Sequence, residues 1–159
     1  MADTDMSVTP LPTPPGSVAQ QALPRVVAFF ECLKAQDLGH LDRIYAVDAS
    51  FKDPFNEVEG LLEIEAVFAH MFRALDTPHF VVRDRLAQGN QAFLTWDFRF
   101  RFKGDTVWQV VRGATHLRFD AHGLIADHRD YWDAAEELYE KLPVLGGLMR
   151  WLKRRAMRG

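Results

Sequence analysis

One cysteine, Cys32, is present in 159 residues. No disulfide can close within the chain, and a reducing compartment is allowed. No apolar run approaches the ~20 residues that a membrane-spanning helix needs. The first residues lack the basic start and apolar stretch of a secretory signal, so a cytoplasmic location is expected. The six histidines are scattered. No His, Cys or carboxylate set has ligand spacing, and no metal is expected. A glycine-rich phosphate loop, a Ser or Cys nucleophile motif and internal repeats are also missing, and no cofactor is expected. Positive charge is scarce: 19 Lys and Arg face 22 Asp and Glu, for a net charge of −3. That balance gives no general reason to expect a nucleic-acid partner.

What is present is a globular composition, 48% hydrophobic, long enough for one domain with a real core. Residues 1–22, rich in Pro, Thr and Ser, read as a disordered tail. A domain is expected over 23–142. Leu23, Val26, Val27, Phe30 and Leu33 recur at helical spacing, with Pro24 suited to a first turn. A short second helix is expected through Leu41, Ile44 and Tyr45. A strand at 50–55 follows, and then a third helix with Ile64, Phe68, Met71, Phe72 and Leu75 on one stripe. From residue 79 the period becomes two. Strands are expected at 79–87, 91–103, 107–120 and 124–132, joined by tight turns and therefore paired antiparallel. Asp133 stands at a helix start, with Glu136 in capping-box spacing, and Pro143 breaks that helix. The fold class expected is α+β, with helices packed on one face of a mostly antiparallel sheet.

Alternation assigns side chains to faces. In the segment His128-Arg129-Asp130-Tyr131-Trp132-Asp133, residues His128, Asp130 and Trp132 share a face. In strand 91–103, Phe93, Thr95, Asp97, Arg99 and Arg101 share one face, and Ala92, Leu94, Trp96, Phe98, Phe100 and Phe102 the other. If the helices cover the mixed face, Asp97 and Asp130 point into a shared polar pocket. The apolar face then needs a second cover, most simply an identical subunit. A homodimer through the sheet is expected on that ground.

The order of elements and these local sequences resemble the nuclear transport factor 2-like superfamily, especially its SnoaL-like branch, over roughly residues 23–140. The resemblance implies a cone, in which three helices close over a strongly bent sheet around a pocket. Lys52-Asp53-Pro54 is similar to the Glu-Asp-Pro segment of the ketosteroid isomerases, which puts Asp53 at their general-base position. The same match places Phe29 and Thr115 where those enzymes carry the oxyanion-hole Tyr and Asp. The segment 128–133 is similar to Trp-Arg-Asp-Tyr-Phe-Asp of the limonene-epoxide hydrolases. That match puts Asp130 and Asp97 at two catalytic aspartates, Thr95 at the catalytic Arg, and Phe51 and Asp53 at the water-orienting Tyr and Asn. Arg99 is the candidate replacement guanidinium.

Plainer readings stand beside these. Asp53 before Pro54 would cap a turn. Asp97 would pair with Arg99 or Arg101, Asp130 would start a helix, and His128 would be a hydrogen-bonded core histidine. His116, opposite in parity to Thr115, should face away from the pocket. The end of the chain, 143–159, carries Arg150, Lys153, Arg154, Arg155 and Arg158. It reads as an amphipathic basic helix resting on the domain, with an anionic membrane surface as the less favoured seat. The function expected is binding of a small, partly apolar molecule. Its enzymatic form would be cofactor-independent acid–base chemistry of isomerase, cyclase or hydrolase type. Asp53, Asp97 and Asp130 would be the proton carriers, and Thr95, Arg99, Thr115, His128, Phe29 and Trp132 would contact the ligand. The alternative is a non-catalytic ligand-binding or adaptor homodimer.

Overall fold

A computed structural model of the chain describes residues 16–137. Helix α1 spans Val18–Cys32. Ser17 starts it through a reciprocal capping box: the Ser17 hydroxyl accepts from the Gln20 N–H, and the Gln20 side chain accepts from the Ser17 N–H. The helix thus begins ahead of the boundary expected at residue 23, and Pro24 lies inside it. A 3-10 helix, Ala35–Arg43, kinks at His40. Strand β1 is Tyr45–Lys52 and β2 is Glu57–Glu59. Tyr45, expected in a helix, therefore opens a strand. Helix α2, Leu61–Ala74, leads into four long strands: β3 Leu75–Gln88, β4 Gln91–Phe102, β5 Gln109–Phe119 and β6 Ile125–Tyr131. One helical turn, α3 Ala134–Glu137, follows, with the Asp133 carboxylate accepting from the Glu136 N–H. The N-terminal segment 1–15, Pro143 and the basic end of the chain lie outside the described residues.

The six strands form one sheet in the order β2-β1-β6-β5-β4-β3. Every neighbouring pair is antiparallel except β1 and β6, which run parallel. The β3–β6 meander turns at the expected places, with Gly89 and Gly123 at φ of 60° and 75°, a region glycine enters without strain.

Helix α1 packs on β3, β4 and β5, and α2 on β1 and β3. The face they cover holds Ala92, Leu94, Trp96 and Phe100, all buried. This reverses the face expected from β4. The apolar stripe Trp96-Phe98-Phe100-Phe102 looks toward the helices, and the mixed face of Thr95, Asp97 and Arg99 looks outward. The physical reason is area: burial of apolar surface contributes about 25 cal/mol per Å², whereas burying the charged row would require a partner for each charge. The stripe is covered within the chain, and the reason for placing a second subunit over it is removed. No helix among the described residues is long and apolar enough to cross a membrane.

Candidate functional site

Beneath the helices, β5 and β6 meet in a register that sets Thr115 beside Asp130 and Leu117 beside His128. All four side chains point inward. They line a small deep cavity of about 30 Å³ together with Val27, Phe30, Phe68, Phe80, Leu94 and Trp96. Asp130 also borders a wider cavity of about 340 Å³. That size lies within the range of about 300–1,000 Å³ usual for small-molecule sites. Phe51, Phe55, Phe68, Phe80, Trp96, Phe98, Phe100, Phe102 and Trp132 give it an aromatic wall, and Asp53, Asn56 and His70 add polar groups.

A continuous buried hydrogen-bond chain runs through the deep end. The Tyr45 hydroxyl lies 2.6 Å from His128 Nδ1, and His128 Nε2 lies 2.9 Å from Asp130 Oδ1. From the other side Trp96 Nε1 donates to Thr115 Oγ1 over 2.7 Å, and Thr115 Oγ1 donates to the same Asp130 oxygen. The directions can be derived. An indole N–H only donates, so the Thr115 oxygen accepts from Trp96 and its own proton goes to Asp130. Tyr45 is fully buried, and a phenol that merely accepted would strand its O–H there. Burial, and then the charge of Asp130, push its pKa well above the ordinary tyrosine value, so it keeps its proton. Tyr45 therefore donates to Nδ1, and His128 donates from Nε2 to Asp130. Both arms end on Oδ1, which accepts two hydrogen bonds. Oδ2 has no hydrogen-bond partner among the described residues.

Packing holds this chain in place. The His128 ring stacks on Tyr45 at 5.9 Å and meets Phe51 at 4.8 Å and the edge of Phe30 at 5.8 Å. Trp96 lies across Gly113, its register partner on β5. A Cβ on Gly113 would fall 2.3 Å from the indole. The missing side chain is what lets the ring lie flat and reach Thr115.

The expected site residues separate into three groups. Asp130, Thr115 and His128 come together at the deep end, and Trp132 lines the wider cavity near Asp130. Asp53 also lines the wider cavity, but its Oδ1 accepts from the backbone N–H of Phe55 and Asn56. Both of its oxygens accept from the Asn56 side chain as well, which is the turn-capping geometry. Asp97, Thr95 and Arg99 are on the outer face. Asp97 binds the Arg83 and Arg99 guanidinium groups, and Thr95 binds Asp84. The hydrogen bond from Arg83, followed by that from Arg99, holds the Asp97 carboxyl below its ordinary range. Asp97 and Asp130 therefore do not share a site. On α1 it is Phe30 that lines the deep cavity, while Phe29 packs edge-on against Phe30. His116 faces outward as expected, stacked on Phe93 at 4.3 Å.

Three members of the site were not anticipated. Trp96 lies on the β4 face that the sequence reading turns toward a second subunit. Tyr45 falls in the expected second helix, although the run Ile44-Tyr45-Ala46-Val47 has the β-branched and aromatic character of a strand. Gly113 carries a signal that can be read: a lone glycine inside a strand marks close approach of another group. Among the described residues no three His, Cys, Asp or Glu side chains gather as a metal-ligand set.

No curated protein matches the chain in sequence. Among solved structures, a hypothetical protein with a ketosteroid isomerase-like fold from Catenulispora acidiphila, in complex with trimethylamine, superposes with a TM-score of 0.63 at 19% identity. The match covers 74% of this chain and 89% of that one. An LEH-like epoxide hydrolase from M. tuberculosis gives a TM-score of 0.62 at 17% identity, over 88% and 98% of the two chains. A steroid delta-isomerase from Pseudomonas aeruginosa gives 0.56 at 20% identity, over 92% and 98%. At these identities the likeness is one of fold. In sequence, a family model described as a SnoaL-like domain matches residues 26–128.

Proposed function

The chain belongs to the SnoaL-like domain family, and from that premise we propose that its cavity binds a small, partly apolar organic molecule on which Asp130 acts as a proton carrier without a cofactor. The observation that carries this reading is the convergence of both buried arms on Oδ1 of Asp130. They fix the carboxyl group in orientation, and the other oxygen is left for a ligand. A base must be positioned before it can be effective. Here the positioning comes from Tyr45 through His128 and from Trp96 through Thr115. The reaction class is proton abstraction and return on a carbon acid, or abstraction from an attacking water, as in isomerases, cyclases and hydrolases. In the first, a C–H bond breaks, the proton passes to Oδ2, the electron pair moves into the conjugated system of the substrate, and the proton is returned elsewhere. A structurally similar protein is in complex with trimethylamine, which supports small-molecule binding in this fold.

The test is solvent deuterium exchange into small cyclic ketones, followed by mass spectrometry. The intact protein should accelerate exchange, and Asp130→Asn should lower the rate by on the order of 10²–10⁴, the usual weight of a general base. Asparagine keeps the shape and can still accept from Thr115 and His128. An unchanged rate in Asp130→Asn would remove Asp130 from the chemistry. Binding of the ketones without exchange would favour the non-catalytic ligand-binding alternative.

A further inference from the structure

The charge lining the cavity is one-sided. Among the described residues that border the deep and wide cavities there is no lysine and no arginine, while Asp130 and Asp53 both contribute. Lys52 and Arg129 border a more open depression that shares Asp53, Asp130 and Trp132 with the wide cavity. Both are engaged there, Lys52 with Glu57 at 2.6 Å and Arg129 over the Tyr131 ring at 5.0 Å. The polar donors at the deep end are turned away from a ligand. The Trp96 N–H serves Thr115, and the Thr115 O–H and His128 Nε2 serve Asp130. The Asn56 amide serves Asp53. A ligand oxygen or anion entering this end would find a carboxylate and ring faces, and would lose its hydration with little in return. A positive group would find the opposite. The faces of Phe, Tyr and Trp rings carry partial negative charge, and a cation within about 6 Å of a ring centroid is attracted to it, most strongly when desolvated.

We infer that the ligand of this cavity is an organic cation, an alkylated amine whose ammonium group sits beside Asp130 among Phe80, Trp96 and Phe51, with its apolar remainder along Phe98 and Phe100. The inference rests on the reading of Asp130 as the cavity's working carboxylate and adds the class of molecule it meets. A cationic substrate also fits the deep end, where the donors of Trp96, Thr115 and His128 are already committed within the protein and the uncommitted polar rings of His70 and Trp132 line only the wider of the two cavities.

The test uses matched probes in ligand-observed NMR titrations of the full chain. Choline is compared with the alcohol in which carbon replaces its ammonium nitrogen, and with pivalate, an anion of similar bulk. Choline should bind at least about tenfold more tightly than its carbon analogue, and pivalate should not compete. In Asp130→Asn the preference for choline should shrink several-fold to what the ring faces alone supply, with the carbon analogue bound as before, which also shows that the variant is folded. Equal binding in the intact protein, a preference undiminished in Asp130→Asn, or no binding of either probe would overturn the inference. The deuterium-exchange assay is independent of these outcomes. Asp130-dependent exchange with no preference for choline would defeat the cation and leave the proton carrier standing. A preference for choline without exchange would do the reverse.

Discussion

At the scale of single residues, Gly113 supports the site most directly without touching a ligand. Its Cβ would approach three atoms of the Trp96 ring at 2.3, 2.5 and 2.8 Å, and that ring cannot retreat without breaking its bond to Thr115. Gly113→Ala should therefore destabilise the fold by about 1–3 kcal/mol, the range for overpacking a filled core. It should also weaken any Asp130-dependent activity, because one arm of the network would come loose. Urea denaturation would check the first part, and an unchanged midpoint would show that the indole has another position open to it. Residue identities were only partly legible. The shared face of His128 and Asp130 followed from parity alone. Asp97 has the same alternation, but parity states which residues share a face and never which face is inside. The sum of apolar area decided that, and on β4 it favoured the side of Trp96 over the side of Asp97.

At the scale of elements, β4 shows how a strand divides its labour. Its inner row builds the cavity wall, and its outer row ties β4 to β3 through Arg83, Asp97 and Arg99. The carboxyl pKa of Asp97 is lowered, so its contribution to stability is present above the ordinary carboxylate value of 3.8 and is lost as pH falls through the lower folded-state value. Asp97→Asn should lower stability at neutral pH by about 0.5–1 kcal/mol, since the guanidinium groups are half exposed and screened. The difference from the unsubstituted chain should shrink below pH 4 or so, toward full protonation. Thermal denaturation across acidic pH would show it, and a pH-independent gap would mean that the pair adds nothing. The long strands of the meander were readable from the two-residue period and their turns. The first strand was not, because Tyr45 follows directly on the 3-10 helix and the run has too few alternations to announce a change of period.

At the scale of the whole molecule, the β1–β6 pair joins parts of the chain that are distant in sequence. Tyr45 and His128 are separated by 83 positions, and β1 lies between β2 and β6, paired with the last strand of the meander. Closing so long a loop costs entropy before any contact repays it, and topologies of this kind fold slowly. The β3–β5 hairpins can assemble locally, whereas the Tyr45–His128–Asp130 chain needs both ends of the domain at once. Its hydrogen bonds should form after the rate-limiting barrier. Tyr45→Phe would then leave the folding limb of a chevron plot nearly unmoved and raise the unfolding limb, with a total loss of about 1–3 kcal/mol for the stranded His128 nitrogen. A slowed folding limb would instead place the parallel pair in the nucleus. That order of events would make time as important as structure: the carboxyl group at the centre of the site would acquire its orientation only late in folding, and a chain arrested short of β6 would have a sheet without a site.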